Sequence, residues 1–293
     1  MADFLIGASA AGAGFSIVAA VTTELVRETQ ARHGLSPTAT AAVGRLATGA
    51  ALMAANLQGS ERISLQISGD GPLRGVVADA WTIAPGRIGV RAYAKVPQAD
   101  VPLNAHGKFD VAAAVGSGSL QVTKSFEAGQ PYSGVVPLYT GEIAEDIGSY
   151  LVNSEQIRSV VALGVLADPV GVKAAGGLLA QVLPGADERA VAALEARALA
   201  LPPVTKLIAQ GAGARALLEA IAGEVPLRSH RTIALEFACR CTREKVQTAL
   251  CGLGADELHR MAREREETEA TCEFCKERYV FTPDEIRAVA ALL

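Results

Sequence analysis

Four of the five cysteines in this 293-residue chain form two close pairs near its C-terminal end. The pairs are Cys239-Arg-Cys241 and Cys272-Glu-Phe-Cys275, and thirty residues separate them. A loop of this length can bring four sulfur atoms to one point, as a structural Zn²⁺ ion requires. The spacing therefore predicts one Zn²⁺ per chain, with Cys239, Cys241, Cys272 and Cys275 as ligands. Because thiols one residue apart can also oxidise to each other, the cluster is equally a candidate redox switch.

Charged side chains are distributed unevenly along the chain. From Ser229 to Leu293, about a third of the side chains are Asp, Glu, Lys or Arg, whereas only about a sixth of those before Ser229 are charged. The change predicts a domain boundary near residues 226–230. A charged piece of this size buries too little apolar surface to fold on burial alone, and a metal would supply the missing stability. We therefore expect a small zinc-binding domain over residues 229–293.

The N-terminal part shows mixed strand and helix patterns. Ile63, Leu65 and Ile67 alternate with polar residues, and a Gly-Asp-Gly-Pro turn follows, which predicts a β-hairpin. Further strand-like runs are 88–96, 119–123, 133–138 and 160–165, and helical patterns cover 38–56 and 142–152. Strands grouped together, with helices between only some of them, favour an α+β fold over a regular βαβ repeat. The prediction is a mixed sheet and helix domain over residues 1–180.

The stretch between Ala174 and Gly223 is rich in Ala and Leu and is interrupted by prolines and glycines. This pattern predicts short helices in a hinge-like connector, and we assign residues 181–228 as a helical linker. Its apolar surface is open to two interpretations. It is either ordinary packing or a surface held in reserve for a partner.

Composition argues against several classes of partner. The net charge of −4 is unlike the basic excess of nucleic-acid-binding proteins. No run approaches eighteen apolar residues, so no membrane span is expected. No Lys or Arg occurs before Arg27, so the basic region of a signal peptide is missing. These features predict a cytoplasmic protein, and in the cytosol paired cysteines are more often metal-binding or redox-active than structural disulfides.

Motifs for nucleotide binding and catalysis are weak. Gly12-Ala-Gly14 lacks the third glycine of a dinucleotide fingerprint, and Gly211-Ala-Gly-Ala-Arg-Ala216 follows a helical pattern where a strand is required. Gly107-Lys108 continues with Phe109, so there is no P-loop. No serine occupies a G-x-S-x-G elbow. We therefore expect no nucleotide partner and no enzyme activity.

Three other side chains in the cysteine-rich region have a possible role in its chemistry. His230 and His259 are alternative metal ligands, but with four cysteines available solvated side chains are the simpler interpretation. Cys251 lies off the apolar stripe of its predicted helix, which favours a small half-buried residue over a spare redox thiol.

Short stretches in both halves of the chain resemble the family of the 33-kilodalton chaperonin, the redox-regulated heat-shock holdase of bacteria. The C-terminal stretches are Cys239-Arg-Cys241, Gly254-Ala-Asp-Glu-Leu258 and Cys272-Glu-Phe-Cys275 with Tyr279. The N-terminal stretches are Leu65-Gln-Ile-Ser-Gly-Asp-Gly-Pro72, Arg91-Ala-Tyr-Ala94, Tyr150-Leu-Val-Asn-Ser-Glu-Gln156 and Gly176-Gly-Leu-Leu-Ala-Gln181. Together they span nearly the whole chain.

The resemblance implies a redox-regulated chaperone that works without ATP. In such proteins oxidation forms two disulfides, which correspond here to Cys239–Cys241 and Cys272–Cys275, and releases the zinc. The sensor domain and the linker then unfold, the protein forms a homodimer, and unfolded client proteins are bound. No client-binding residue follows from a motif.

Two other functions remain open from the residues. An enzyme with a purely structural zinc domain would need a convergent polar site in residues 1–180, where the sequence shows none. A zinc-ribbon nucleic-acid binder would need a basic domain, whereas residues 229–293 contain 10 Lys and Arg against 12 Asp and Glu.

Overall fold

The computed structural model of the chain describes residues 2–10, 12–127, 129–168 and 170–293, and within these the side chains of Ser229 and His230 are outside the description. The chain divides into two compact units, Met1–Ala238 and Cys239–Leu293. The first contains a large sheet with helices and the second contains the four cysteines, as the predicted α+β class requires. Among the described residues, none of the helices is long and apolar enough to cross a membrane.

The first unit contains ten strands and seven α-helices within the described residues. The strands are β1 (Phe4–Ala10), β2 (Phe15–Val21), β3 (Arg62–Gly69), β4 (Gly75–Ala84), β5 (Arg87–Ala94), β6 (Gly118–Ser125), β7 (Tyr132–Pro137), β8 (Ser159–Asp168), β9 (Gly171–Val182) and β10 (Arg228–Phe237). The helices are α1 (Thr23–His33), α2 (Pro37–Met53), α3 (Val111–Val115), α4 (Ala144–Asn153), α5 (Glu188–Ala200), α6 (Val204–Ala209) and α7 (Ala214–Ala222). A 3₁₀ turn, Ala54–Asn56, extends α2.

All ten strands form one sheet in the order β7-β6-β3-β4-β5-β10-β1-β2-β9-β8. Neighbours are antiparallel except β10 and β5, which pair in parallel with Leu235 opposite Ile88. On its other side β10 pairs with β1, with Leu5 opposite Ile233. Strand β10 therefore joins β3–β5 to the N-terminal strands.

The larger hydrophobic core lies between the sheet and helices α1 to α4. Along β3, Ile63, Leu65 and Ile67 are fully buried, because alternate side chains of a strand point to the same face. Helix α2 is buried along almost its whole length, and Ser36 caps it by accepting a hydrogen bond from Ala39 N. Small residues allow this close packing, since a Cβ on Gly44 would lie 2.7 Å from Val165 Cγ2.

A second core of the same unit involves β1, β2, β9 and helices α5 to α7. Phe15, Ile17 and Leu178 from the sheet are fully buried, and Leu217 and Ile221 of α7 belong to the same cluster. Helix α5 contributes little, since only Val191 and Leu194 of its thirteen residues are buried. An apolar sheet surface is thus covered by the helices of the predicted linker segment.

Most strands and helices of the first unit agree with the sequence-based prediction, and four strands were not predicted. The hairpin β3–β4, strands β5 to β8 and helices α2 and α4 appear where the periodicity placed them. The prediction missed strands β1, β2 and β10 and helices α1 and α3. Residues 174–182, taken as the beginning of the helical connector, form most of β9.

The charge boundary near residues 226–230 also differs from the observed division. It lies at the beginning of β10, which belongs to the large sheet, so the second compact unit starts at Cys239. The density of charged residues reports solvent exposure and not domain membership. A strand with many polar residues therefore raises the charge density although it belongs to the large sheet. The functional division into residues 1–180, 181–228 and 229–293 stays a prediction.

The second unit is built from α8 (Arg243–Cys251), α9 (Ala255–Glu264), the hairpin β11 (Thr268–Thr271) and β12 (Arg278–Phe281), and α10 (Pro283–Ala290). Its core is small and is centred on Leu258, Phe281 and Ile286, which are fully buried. Thr282 and Glu285 form a capping box at the start of α10, with Pro283 in the first turn. Local signals therefore specify where these short helices begin.

Candidate metal centre

The two cysteine pairs occupy two turns of the second unit. Cys239 and Cys241 precede α8, whose N-cap Thr242 accepts a hydrogen bond from Lys245 N. Cys272 and Cys275 lie in the turn between β11 and β12.

Backbone hydrogen bonds shape the turn that contains Cys272. Lys276 N donates to Cys272 O and Cys272 N donates to Glu277 O, both at 2.9 Å. Lys276 adopts a left-handed conformation with φ of 59°, which closes the turn tightly. The turn thereby directs the sulfurs of Cys272 and Cys275 to the same side.

Long-range contacts hold the first pair against the hairpin. The Arg243 guanidinium donates to Val280 O at 2.9 Å and to Glu285 Oε1 at 2.6 Å, and its Cζ lies 4.2 Å from the ring centre of Phe281. Lys245 Nζ donates to Arg240 O at 2.6 Å. These contacts connect the start of α8 to β12 and α10, and so keep Cys241 close to Cys275.

The four sulfur atoms all lie within 4.8 Å of one another. The separation is 3.3 Å between Cys241 and Cys275 and 3.8 Å between Cys239 and Cys272. Both distances exceed the S–S bond length of about 2.05 Å, so neither contact is a disulfide. The structure thus brings together the four cysteines that the spacing selected.

This arrangement fits a tetrahedral metal ion. Zn–S bonds of about 2.3 Å place neighbouring sulfurs about 3.8 Å apart in a regular tetrahedron. The observed separations bracket that value, so small movements would complete the geometry. Within the described part of the chain the cluster consists of four cysteine sulfurs with no carboxylate or imidazole. Four thiolates are a soft ligand set, which suits zinc-like ions better than Mg²⁺ or Ca²⁺. The cluster is therefore positioned to bind one metal ion.

Burial governs the protonation of the cluster. Cys275 is buried and the other three ligands are half-buried. This burial raises the pKa of the Cys241 and Cys275 thiols above their ordinary values. Metal binding must displace these protons, because the thiolate is the ligand. Affinity for a cation at this centre consequently decreases as the pH is lowered.

A tyrosine hydroxyl approaches the cluster, and the sequence analysis assigned it no role. Tyr279 on β12 donates a hydrogen bond from its phenol to Cys241 Sγ at 3.2 Å. That hydrogen bond raises the pKa of Tyr279, so the phenol keeps its proton and remains a donor. Tyr279 occurs in the stretches that carry the family resemblance, but no sequence signal indicated which sulfur it contacts.

Two of the remaining candidates, Cys251 and His259, do not belong to the sulfur cluster. Cys251 is half-buried at the end of α8 and packs against the small core, as expected. His259 is exposed on α9. The side chain of His230, the other histidine considered as a ligand, lies outside the described residues. Residues 211–216 form the turn between α6 and α7 and the start of α7, without the preceding strand of a dinucleotide site.

A family model described as Hsp33 protein matches residues 3–282 of this chain. Among curated proteins, the 33 kDa chaperonin of Syntrophotalea carbinolica is 44% identical and covers 99% of this chain and 100% of its own length. The 33 kDa chaperonin of Bacillus subtilis is 39% identical, with 98% of both chains covered.

A solved structure has the same fold. It is the crystal structure of the 33 kDa chaperonin (heat shock protein 33 homologue) from Thermotoga maritima, which matches with a TM-score of 0.91 and 37% sequence identity. The match covers 99% of this chain and 98% of the other. Similarity of sequence and of fold therefore extends over both compact units.

Proposed function

Because the chain belongs to the Hsp33 family, we propose that it is a redox-regulated chaperone that holds unfolding proteins without ATP. The observation that carries the proposal is the cluster of four cysteine sulfurs within 4.8 Å of one another. The cluster lies in a unit whose own core is small. Oxidation of these sulfurs would remove a large part of what holds the unit folded.

In the reduced state, Cys239, Cys241, Cys272 and Cys275 bind one Zn²⁺. Bound zinc cross-links the four thiolates and closes the chain between the two cysteine pairs. Binding of structural zinc to small domains contributes on the order of 10–16 kcal/mol. A whole domain is ordinarily stable by only about 5–15 kcal/mol. Residues 239–293 therefore depend on the metal for their fold.

Oxidation converts the four ligands into two disulfides, Cys239–Cys241 and Cys272–Cys275. Each joins cysteines that are close in sequence, so neither replaces the connection between the two pairs. A disulfide that closes so short a loop constrains the unfolded chain little. The oxidised unit thus loses its metal and gains no equivalent cross-link between the two cysteine pairs. It therefore unfolds.

The surface for client proteins belongs to the first unit in this proposal. Helices α5 to α7 cover apolar residues of β1, β2 and β9, and α5 buries only two of its side chains there. Unfolding of this linker would expose contiguous apolar surface, to which unfolded polypeptides bind. The same surface supports a homodimer in the oxidised state. The proposed partners are unfolded proteins and a second copy of the chain, in the cytoplasm, with no nucleotide, nucleic acid, membrane or enzymatic reaction involved.

The test is zinc release during hydrogen peroxide treatment at raised temperature, measured together with light scattering from a thermally unfolding client. We expect loss of about one zinc per chain and a new ability to suppress client aggregation, which a thiol reductant reverses. If zinc stays bound, or leaves without any gain in client holding, the cluster is only a structural staple.

Two serine variants identify the sulfurs involved. Cys272→Ser removes one of the four ligands, so we expect lower zinc content and proteolysis of residues 239–293 even under reducing conditions. Cys251→Ser is the matched control, because Cys251 lies outside the cluster. Full zinc occupancy and unchanged protease resistance in Cys272→Ser would contradict the proposed ligand set.

A further inference from the structure

Two close sulfur contacts in the cluster join cysteines of different sequence pairs. Cys241 Sγ lies 3.3 Å from Cys275 Sγ, and Cys239 Sγ lies 3.8 Å from Cys272 Sγ. The partners in each contact are 34 and 33 positions apart in the chain. Disulfides that cross between the two pairs are therefore within reach, as well as the local disulfides Cys239–Cys241 and Cys272–Cys275.

The choice between these connectivities decides what oxidation does to the second unit. A crossed disulfide closes a long loop and holds the same two turns together as the metal does, so it would keep the unit folded. Local disulfides leave the two turns unconnected. A switch based on unfolding, as in the proposed function on which this inference rests, requires that the crossed disulfides be avoided.

Tyr279 acts on one member of the 3.3 Å contact between Cys241 and Cys275. Its phenol donates to Cys241 Sγ at 3.2 Å. Strand pairing keeps the tyrosine in place, since Tyr279 lies opposite Ala270 in the β11–β12 hairpin. The Arg243 contacts to Val280 and Glu285 fix the segment that carries Cys241 against the same strand. The hydrogen bond is therefore supported from both sides.

We propose that Tyr279 directs the oxidation of the cluster by lowering the nucleophilicity of the Cys241 sulfur. A hydrogen bond to a thiolate lowers its electron density and hence its nucleophilicity towards an oxidant or another sulfur. Cys241 then reacts more slowly than the other ligands, and its crossed disulfide with Cys275 is disfavoured. Tyr279 is a positioning residue, because it acts through Cys241.

The chemistry with a hydroperoxide proceeds in two balanced steps. The thiolate of Cys275 attacks one peroxide oxygen, the O–O bond breaks, and a sulfenic acid and hydroxide form as the sulfur loses two electrons. A second cysteine then attacks the sulfenic sulfur, the S–S bond forms and the S–O bond breaks, and water leaves with the proton of the attacking thiol. Cys272 and Cys241 compete to attack the sulfenic sulfur. The hydrogen bond from the phenol of Tyr279 slows the attack by Cys241.

The test compares full-length zinc-loaded wild type with Tyr279→Phe, which keeps the ring and removes the hydroxyl. Each protein is treated with hydrogen peroxide, quenched at intervals by alkylation and mapped by mass spectrometry. Loss of a hydrogen bond to a charged group corresponds to a rate change of roughly tenfold. We expect Cys241 to be oxidised about tenfold faster in Tyr279→Phe and the Cys241–Cys275 disulfide to accumulate.

Thr282→Ala is the matched control. Thr282 accepts the hydrogen bond from Glu285 N that caps α10 and touches none of the sulfurs, so the variant weakens the second unit without altering Cys241. Equal acceleration of Cys241 oxidation in Thr282→Ala and Tyr279→Phe would overturn the proposal, as would an unchanged disulfide map in Tyr279→Phe.

A spectroscopic measurement separates this proposal from the proposed function. Co²⁺ replaces zinc in reduced wild type and in Tyr279→Phe, and the sulfur-to-metal charge-transfer band is recorded. Removal of a donor from Cys241 raises the energy of the sulfur electrons, so the band is expected to move to longer wavelength in Tyr279→Phe. An identical band in both proteins would overturn the role of Tyr279, whereas failure to hold clients after oxidation would leave this band shift unaffected.

Discussion

At the scale of single residues, a few buried side chains satisfy backbone groups that no helix or strand can reach. The carboxylate of Asp146 is fully buried and accepts hydrogen bonds from the backbone N–H groups of Tyr139, Thr140, Gly141 and Ile143. These groups belong to the loop that precedes α4. Buried polar groups must be paired to avoid a large desolvation cost, so one side chain here determines the path of a loop.

Asp3 is a second such residue, and its environment predicts a pH dependence of stability. Its Oδ2 accepts a hydrogen bond from Leu25 N at 2.7 Å, near the start of α1. Burial raises the pKa of this carboxyl from 3.8 to about 6, opposed by the backbone hydrogen bonds from Leu25 and Glu24. The folded state therefore holds the proton more tightly than the unfolded state does. The stabilisation is fully present below about pH 4 and is lost as the pH rises through 6.

Asp3→Asn should remove this dependence, because the amide does not ionise in this range and retains an oxygen acceptor for Leu25 N. We expect Asp3→Asn to gain about 2 kcal/mol of unfolding free energy relative to wild type between pH 4 and pH 7. Fluorescence of Trp81, the single tryptophan, follows urea unfolding of the first unit. Asp70→Asn is the control, since Asp70 is exposed and its Oδ1 also accepts a backbone hydrogen bond, from Ser117 N. The same pH profile in wild type and Asp3→Asn would refute the assignment.

At the scale of elements, helix α5 is the most weakly attached helix of the linker segment. Val191 and Leu194 are its buried side chains, and Arg158 pairs with Glu188 and Glu195 only at the surface. Exposed ion pairs of this kind contribute little to stability. The half-buried Arg197 makes the firmer contact, since its Nε donates at 2.8 Å to Ile221 O in the last turn of α7. Elements with few buried contacts are those that open first.

Arg197→Met should therefore release α5 selectively. The variant keeps much of the apolar stem and loses the hydrogen bond to α7, which costs about 1–2 kcal/mol. We expect hydrogen exchange of amides in residues 188–200 to accelerate by roughly tenfold, while the strands of the large sheet stay protected. Arg189→Met, a change at an exposed arginine of the same helix, is the control. Equal acceleration in both variants, or none in Arg197→Met, would show that Arg197 does not attach α5.

At the scale of the whole molecule, the two units differ in what stabilises them. The first has two extended hydrophobic cores that together include buried side chains from all ten strands of the sheet. The second has a core of eight buried side chains, and in the proposed function the metal bound at the sulfur cluster supplies the rest of its stability. A protein built in this way can lose the structure of one unit and retain that of the other.

Metal removal should expose this difference. We expect a zinc chelator, added to reduced protein, to remove the hydrogen-exchange protection of residues 239–293 and to leave the large sheet protected. The reason is that all four cysteines of the cluster belong to the second unit. Hydrogen exchange with mass spectrometry measures both regions in one sample, and re-addition of Zn²⁺ should restore protection. Simultaneous loss of protection in the large sheet, or none in residues 239–293, would contradict this division.

Much of the fold and of the candidate site could be predicted because the relevant signals are local. A turn sequence or the alternation along β3 reports the hydrogen bonds and burial of a few neighbouring residues. Such signals correctly located the hairpin β3–β4 and the positions of α2 and α4. The same holds for the close approach of the four sulfurs, since two close cysteine pairs require only a loop between them. Sequence by itself therefore determined which four cysteines meet and that Cys251 lies apart from them.

Only the tertiary structure decided where distant segments join. Strand β10 is inserted between β1 and β5, and its partners lie far away in the chain, so no periodicity within β10 identifies them. The contact of Tyr279 with Cys241, and the close approach of Cys241 to Cys275 of the other sequence pair, depend likewise on how α8 packs against the hairpin. The distance between such groups is set by the packing of the whole unit. That packing depends on many side chains from distant segments, so no short stretch of sequence specifies it.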